Sequence, residues 1–364
     1  MDLNGKKLDV WFLALEQSGD LNLFPHGENY PSKYKNISDQ LYQWVHPEVA
    51  VGTTTTDNTF LTNHGINHIK TLIARATQFV DGNEFCILSP FEVFLLLMAI
   101  HVHDVGNILG RKGHEVSAKD IIDKLKPIGI VGQDDWIWNY VYDIAKTHKG
   151  FQIETLPKLE HIHDIPFRPQ LLAGILKFAD ELAEDFSRSS KINVDLSNIP
   201  EDSNIYHVFA SCVNSIIPKP LMGEIEMIFN LKADHVTKKF KKEGKYFFLM
   251  DEIYIRTLRT YSEKVYCMKF LRPYINFNSI KVTINIRLAD GSNRQHGYEL
   301  SESVISDINL NQVLEKCPEL KGKTGKHFFD EYNKNTPKKS DASKQSNKKN
   351  GIKKATAKKN RRRR

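Results

Sequence analysis

The stretch "LLLMAIHVHDVGNILGRKGHE", residues 95–115, decides where this chain places its chemistry. A run of apolar residues ends abruptly in His101, His103 and Asp104, and His114 follows ten residues after the aspartate. An unpaired carboxylate at the end of a buried helix would cost several kcal/mol. These polar groups therefore either pair with one another in the core or hold a metal ion.

The helix that carries this stretch has a clear start. Ser89 is an N-cap residue, Pro90 suits the first turn, and Glu92 is placed to close a capping box. The following segment, "FEVFLLLMAI", is apolar nearly all round, which predicts a central, buried helix. Its ten residues are too few to span a bilayer, and the N-terminus lacks the layout of a signal peptide. We therefore expect no contact with a membrane.

Composition sets the frame for the rest of the chain. With 364 residues and 40% hydrophobic content, the chain can bury one large core, or a core with a smaller appended domain. Its cysteines are scattered without a CxxC pair: Cys86, Cys212, Cys267 and Cys317. This pattern predicts neither a disulfide framework nor a thiolate zinc site, and it fits a reducing cytoplasm.

The C-terminal tail carries most of the positive charge. Residues 334–364 contain fourteen lysines and arginines and a single acid, Asp341, so the rest of the chain has a net charge near −6. With almost no apolar residues, the tail cannot offset its chain entropy and is predicted to be disordered. It either contacts nucleic acid or another polyanion nonspecifically, or it is a solubilising extension.

The pattern of apolar residues divides the chain into four parts. They are an N-terminal helical and loop segment over residues 1–59, a helical domain over 60–190, an α+β extension over 191–332 and the basic tail over 333–364. In the first part, which includes "HPEVAVGTTTTDN", we expect one or two short helices and a polar loop. In the third part, alternation predicts strands in "GEIEMIFNLKA", "KYFFLMDE" and "NSIKVTINIRLAD". The fold class is therefore mainly α, with a smaller α+β region.

Two further segments can bring ligands to the end of the central helix. In "FLTNHGINHIKTLIARATQFV", Thr62 or Asn63 can cap a helix on which His64 and His68 share one face. In "RPQLLAGILKFADELAEDFSR", an apolar helix ends by presenting Asp180. Histidines and aspartates that each close an apolar helix supply mixed nitrogen and oxygen ligands, which is how a hydrolytic metal site is built.

The order His68, then His103 with Asp104, then Asp180 resembles the HD superfamily of metal-dependent phosphohydrolases over roughly residues 60–190. The phrases "TNHGINHI", "HVHDVGN", "RKGHE" and "LKFADELAED" are similar to the bacterial HD branch associated with C-terminal effector modules, and the following region resembles the α+β extension of that branch. The resemblance implies a helical HD-type domain in which these four residues bind one divalent ion. It also implies that the ion activates a water for in-line attack on a phosphoryl group, and that Asp104 can bridge to a second ion.

The resemblance implies roles for the remaining polar residues as well. His64 corresponds to a general acid in cyclic nucleotide phosphodiesterases and to a further metal ligand in another branch. His114 and His148 look like ligands of a second ion or of phosphate, although His148 can also be a surface histidine. Residues expected to clamp phosphate, or else to be solvated charges, are Arg111, Lys146 and Lys149. The cofactor is then one or two divalent ions, drawn from Mn, Fe, Ni, Zn and Mg, and neutral histidines suit Mg least.

A second His–Asp pair, His163–Asp164, needs to be separated from the first. It lies in "HIHDIPFRPQ", where Pro166 follows within two residues and no apolar helix precedes the pair. We therefore predict that His161, His163 and Asp164 are loop residues outside the site.

The substrate is expected to be a nucleotide, since phosphoesters and phosphoanhydrides of nucleotides dominate the chemistry of this superfamily. A (d)NTP phosphohydrolase is favoured over a cyclic nucleotide phosphodiesterase, although Asn107 stands where triphosphohydrolases usually have a histidine and their tyrosine after the last ligand is missing. No GYP motif follows His148, which argues against a cyclic-di-GMP enzyme.

The alternative is a nucleotide-sensing module without turnover that acts as an interaction or defence effector, a role suggested by resemblance to proteins of bacterial conflict systems. The complete ligand set favours the enzyme. The expected partners are a nucleotide substrate and, through the tail, nucleic acid. The sequence leaves oligomerisation open.

Overall fold

The computed structural model describes residues 3–55, 64–81, 86–132, 134–184, 189, 199–272, 274–301 and 309–334. Within these residues the protein is mainly α-helical, with a smaller α+β region towards the C-terminus, so the predicted fold class is confirmed. The last described helix runs to Lys334, and the rest of the predicted basic tail lies outside the described residues, as do Thr62 and Asn63.

Helices that share one hydrophobic core make up the N-terminal half. They are α1 (Leu8–Ala14), α2 (Tyr30–Gln40), α3 (His46–Thr55), α4 (Ile66–Val80), α5 (Pro90–Val102), α6 (His114–Leu125), α7 (Asp135–Lys146) and α8 (Pro169–Glu181). A small antiparallel hairpin of β1 (Glu160–Ile162) and β2 (Ile165–Phe167) separates α7 from α8.

Helix α5 lies at the centre of this core, as predicted. Every one of its residues is buried, and it contacts α1, α2, α4, α7 and α8. The predicted capping box is present, because Ser89 Oγ accepts from the Glu92 N–H and the Glu92 carboxylate accepts from the Ser89 N–H. Glu92 also receives two 2.7 Å hydrogen bonds from the Arg168 guanidinium, which satisfies a carboxylate that would otherwise be buried without a partner.

The segment Pro90–Leu109 is the one helical run in the described residues that is long and apolar enough to cross a membrane. It is longer than the apolar run counted from the sequence because it continues through the polar end of α5. Of its most apolar window, 89% is buried inside the protein, so it is the core helix of this domain and gives no sign of a membrane span.

The N-terminal segment is more helical than the sequence indicates. Helix α2 continues through a single π-helical turn, Leu41–Val45, directly into α3, so the segment "HPEVAVGTTT" is helical over His46–Thr55. His46 and Val49 are buried against the core. This tertiary packing outweighs the weak helix propensity of the valines and threonines in α3.

The C-terminal half combines a sheet with helices. Its elements are α9 (Glu201–Cys212), β3 (Val213–Lys219), β4 (Glu224–Lys232), α10 (Ala233–Val236), β5 (Lys239–Lys242), β6 (Lys245–Phe248), α11 (Leu249–Leu271), β7 (Ser279–Arg287), β8 (Asn293–Leu300), α12 (Leu310–Lys316) and α13 (Gly325–Lys334). The four-stranded sheet has the order β3-β4-β7-β8, in which only β4 and β7 are parallel. Strands β5 and β6 form a separate hairpin.

Two of the strands predicted from alternation are confirmed as β4 and β7. The third prediction, "KYFFLMDE", holds only over β6, because α11 begins at Leu249. Strands β3 and β8 were not predicted, because Pro218 interrupts the first and the second is polar with Gly297 in its interior. A parallel pair needs a long crossover, and the chain makes it with α11, the longest described helix. Helix α11 packs along α8, so the sheet region is in direct contact with the helical half.

Candidate metal centre

The site forms where α5 ends and the chain turns sharply. His103 follows the last residue of α5, and Asp104 begins a short 3-10 helix, Val105–Leu109. Both side chains are buried. The apolar body of α5 thus carries an imidazole and a carboxylate into the core, where further polar groups from four other segments meet them.

One group of ligand atoms gathers around His68, His103 and Asp180. His68 Nε2 lies 3.4 Å from His103 Nε2 and 3.2 Å from Asp180 Oδ1, and His103 Nε2 lies 3.7 Å from the same carboxylate oxygen. The three residues come from α4, the end of α5 and α8. Their ligand atoms all lie within 4.8 Å of one another, which is close enough to surround a single ion.

A second group forms on the other side of Asp104. His114 Nε2 lies 3.0 Å from Asp104 Oδ1 and 3.1 Å from His148 Nε2, and His148 Nε2 lies 3.7 Å from the same oxygen. The other carboxylate oxygen, Oδ2, faces the first group, 3.3 Å from His103 Nε2 and 4.0 Å from His68 Nε2. Asp104 therefore presents one oxygen to each group, the arrangement of a bridging ligand.

Three of the imidazoles are oriented by the backbone in the same way. His103 Nδ1 donates to the Ile100 carbonyl, His114 Nδ1 to the Arg111 carbonyl and His148 Nδ1 to the Ala145 carbonyl, at 2.7–3.0 Å. Because a carbonyl only accepts, Nδ1 must carry the proton in each ring, and in a neutral ring the lone pair is then on Nε2. All three Nε2 atoms face the carboxylates. Such a backbone bond is the usual device that fixes a metal-binding histidine.

The chemistry of this donor set fits a divalent cation. The Nε2 atoms of His114 and His148 lie 3.1 Å apart, so their two lone pairs repel unless a proton or a metal ion lies between them. Burial lowers the pKa of His148 to about 3, with a further contribution from His103, so His148 is the neutral imidazole that a metal requires.

The carboxylates call for positive charge at the same place. Although burial opposes it, His103 and His64 hold the pKa of Asp104 well below its usual range. Likewise, burial would lower the pKa of His103, but Asp104 and Asp180 raise it to about 9. The buried Asp104 carboxylate and the half-buried Asp180 carboxylate are thus stabilised by an imidazolium, and a divalent ion supplies the same charge while leaving the histidines neutral.

His64 contacts the site from a position that differs from the prediction. Helix α4 begins at Ile66 after the extended residue Gly65, so His64 precedes the helix, and the prediction that it shares a helical face with His68 is wrong. The ring nevertheless reaches the site, because His64 Nδ1 lies 2.7 Å from Asp104 Oδ2. His64 is only 7% exposed.

The three predicted phosphate-binding cations are placed differently. Arg111 Nη1 lies 3.7 Å from Asp104 Oδ1, and burial together with the Arg111 charge lowers the pKa of Lys149. These two cations therefore lie near each other at the site. Lys146 instead pairs with Asp143 at 2.6 Å and lies over the rings of Tyr142 and Phe151, and within the described residues it makes no ion pair with the ligand carboxylates.

Asn107 has a supporting role that the sequence reasoning missed. Its amide donates to the Asp104 carbonyl at 3.0 Å and to Asp104 Oδ1 at 2.9 Å, and its oxygen accepts from Arg111. From the sequence, Asn107 is interpreted only as an indicator of the substrate class. Asn107 follows Asp104 by three residues, and a tight turn can return a side chain at that spacing to the aspartate. This spacing is the sequence feature that indicates the contact.

His101 lies in the core next to the site. His101 Nδ1 is 3.0 Å from His46 Nε2, and its other nitrogen is 3.4 Å from the Tyr34 hydroxyl. Burial lowers the pKa of His101 well below its usual range and that of His46 to about 3, so both rings are neutral. His46 is a further buried histidine that the sequence reasoning did not single out.

The chain is similar to one known family. The sequence profile of a family described as HD-CE matches residues 54–253, more than half of the chain. The match includes all the ligand residues and continues past residue 190 into the sheet region. Neither the curated proteins nor the solved structures gave a match. The HD-type domain predicted from the motifs is confirmed.

Proposed function

Since the chain belongs to the HD-CE family, we propose that its histidine–aspartate site is the active centre of a metal-dependent phosphohydrolase that cleaves phosphoester or phosphoanhydride bonds of nucleotides. The observation that carries this proposal is the Asp104 carboxylate, which presents one oxygen to each of two groups of ligand atoms. Two ions bridged by one carboxylate are a common centre for hydrolysis at phosphorus.

Each ligand has a defined part in this proposal. His68, His103, Asp104 and Asp180 hold one divalent ion, and His114 and His148 join Asp104 in holding a second. When bound, such ions lower the pKa of a coordinated water and polarise a phosphoryl oxygen. The histidine-rich donor set suits Mn, Fe, Ni or Zn better than Mg.

The remaining residues act on the substrate. Arg111 and Lys149 bind phosphate oxygens, since both are cations beside the ligand carboxylates and the pKa of Lys149 is lowered by burial and by Arg111, a cost that a phosphate anion relieves. His64 protonates the leaving oxygen, and its 2.7 Å contact with Asp104 holds the ring at the site.

A (d)NTP remains the favoured substrate over a cyclic nucleotide. The pair of cations supports this preference, because a triphosphate carries more charge than a cyclic monophosphate. Substrate and products can be identified by incubating the metal-loaded protein with a panel of NTPs, dNTPs and cyclic nucleotides and separating the products by ion-exchange chromatography.

The matched control for that panel is Asp104→Asn, which keeps the shape of the side chain and removes its charge. Hydrolysis of one class by the wild type and none by the variant supports the proposal. Tight binding of a nucleotide without any product would instead identify a sensor module.

The basic tail suggests nucleic acid as a second type of partner. Residues 334–364 carry thirteen net positive charges, as counted from the sequence, and we propose that they bring the enzyme to nucleic acid without sequence preference. Such binding depends on salt and not on the metal centre.

A further inference from the structure

Helix α11 from the sheet region presents a row of polar residues to the helix that carries Asp180. Arg256, Thr260 and Glu263 are spaced by four and three residues, so they lie on one face of α11. This face packs against α8. The longest helix of the C-terminal half therefore lies directly behind the ligand helix.

Each of these residues contacts a polar group on α8 or just after it. Arg256 Nη1 lies 3.8 Å from the Glu184 carboxylate, Thr260 Oγ1 donates to Glu181 at 2.7 Å, and Glu263 pairs with Lys177 at 2.9 Å. The contacted residues lie on both sides of Asp180 in the chain, Lys177 before it and Glu181 and Glu184 after it. They hold the ligand helix at a fixed rotation and height against α11.

Lys177 extends this contact to a second ligand. Its ammonium donates to the backbone carbonyl of His148 at 3.0 Å while pairing with Glu263, and its side chain is only 14% exposed. The loop after His148 is also tied to α11, since the Tyr266 hydroxyl accepts from the Ile153 N–H at 2.9 Å and donates to Glu154 at 2.7 Å. The segment that carries His148 is thus fastened to α11 at two points.

His148 lies farther beyond the end of its helix than the histidines of the first group do. His68 lies within α4 and His103 directly follows the fully buried α5, whereas His148 follows α7 in a turn, with its own Nδ1 bonded to Ala145. A shift of its backbone carbonyl would move Nε2 away from Asp104 Oδ1, now 3.7 Å distant. The first group of ligands does not contain this residue.

We propose that α11 sets the position of His148, with Lys177 as the positioning residue, and thereby controls the affinity of the Asp104, His114 and His148 group for its ion. This inference rests on the two-ion site of the proposed function. It makes the C-terminal half a structural part of the metal centre, although Lys177 touches neither the ions nor the substrate.

The test is a titration of the metal-free full-length protein with Mn²⁺, followed by calorimetry and by elemental analysis after gel filtration. The wild type should bind two ions, and a His114→Ala, His148→Ala double variant should show what loss of the second ion looks like. Lys177→Met keeps the aliphatic stem and should weaken the second ion by about 10–100-fold, the usual cost of losing a group that orients a ligand. The first ion should bind normally.

Companion variants separate positioning from general stability. Lys177→Arg can still donate to both partners and should restore the second ion, and Glu263→Gln should weaken it less than Lys177→Met does. Lys35→Met removes a lysine of an exposed ion pair with Asp39 far along the chain and should change nothing. The Tm of the metal-free Lys177→Met protein should stay close to that of the wild type.

Three outcomes would overturn the inference. They are a wild type that binds a single ion, an unchanged second affinity in Lys177→Met, and an equal weakening of both ions together with a lower Tm, which indicates a purely structural role. The binding experiment contains no nucleotide. If Lys177→Met loses the second ion selectively while no nucleotide is hydrolysed by the wild type, the positioning role stands and only the proposed function fails.

Discussion

The chain contains almost the same tetrapeptide twice, "HVHD" at residues 101–104 and "HIHD" at residues 161–164, and the two copies lie in opposite environments. The first closes α5 and is buried throughout. The second spans the end of β1 and the tip of the β1–β2 hairpin. His161, predicted to be a loop residue, lies in β1, whereas His163, with a φ of 52°, and Asp164 are exposed at the tip. The same histidine and aspartate side chains thus lie among other metal-ligand residues in the first copy and are exposed in the second.

The difference lies in the residues before each copy. The first follows a run of ten residues, apolar except for Glu92, that forms a helix in the core, and the buried carboxylate then needs a compensating charge. The second follows "PKLE" and precedes a proline, which favours a tight turn at the surface, where water solvates the carboxylate. The groups of metal-ligand atoms found in the described parts of the chain include Asp104 and His103 and none of residues 161–164.

The largest expected effect comes from replacing a ligand residue in the buried tetrapeptide at residues 101–104. His103→Ala or Asp104→Ala should lower turnover by at least about 1,000-fold, because the several kcal/mol that a correctly held ion contributes to the transition state are lost. Bound metal, measured by elemental analysis, should fall in parallel. The matched change in the exposed copy, His163→Ala, should leave both quantities unchanged.

The two outcomes that contradict this prediction are distinct. Normal metal content and turnover in His103→Ala or Asp104→Ala would mean that the site is wrongly assigned. A large loss in His163→Ala would mean that the exposed copy is the functional one.

The sequence made the ligand helices predictable and left other parts out of reach. The capping box at Ser89 and the apolar run of α5 follow from local rules, so the start of that helix could be placed to the residue. The position of α11 behind α8, and with it the contact between Lys177 and His148, depends on how distant segments pack. Local patterns carry no information on that packing.

His64 shows the same limit on a smaller scale. Four-residue spacing suggested a shared helical face with His68, but Gly65 is extended and the helix starts only at Ile66. The ring still reaches Asp104, since a residue just before a helix can turn inward as easily as one within it. The prediction that His64 lies near the site is therefore correct, although the helical face on which it was based does not include His64.

His64 also sharpens the comparison, because no contact among the described residues joins a histidine to Asp164 as His64 is joined to Asp104. With a poor alkoxide leaving group, His64→Ala should lower turnover by about 100- to 10,000-fold, the range expected for a lost general acid. With an activated phenolate ester, which needs no proton, the loss should be slight. Steady-state rates on the two substrates measure this directly.

Equal losses on both substrates, with less bound metal, would contradict the acid role. His64 would then act as a ligand, consistent with its place in a group with His68 and Asp104.

The cations near the buried copy give a smaller effect. Arg111→Gln or Lys149→Gln should raise KM by about 10-fold, because a hydrogen bond between charged groups contributes about 1.5–3 kcal/mol. Lys146→Gln is the matched control, since Lys146 already pairs with Asp143. A rise in KM for Lys146→Gln as large as that for Arg111→Gln would show that proximity to Asp104 does not select the phosphate ligands.

The smallest effect on the site is expected from deleting residues 335–364. This segment follows the last described helix, which ends at Lys334, and it contains almost no apolar residues, so its removal takes nothing from the core around either copy of the tetrapeptide. Tm and turnover of a small nucleotide should be unchanged. Binding to duplex DNA, measured by fluorescence anisotropy at several salt concentrations, should weaken strongly, and the dependence of log K on log salt should flatten as phosphate contacts are lost. A tail in which every basic residue is replaced by glutamine is the matched control and should behave like the deletion. If the truncated protein melted at a clearly lower temperature, the tail would belong to the folded structure, and its charge would not be what matters.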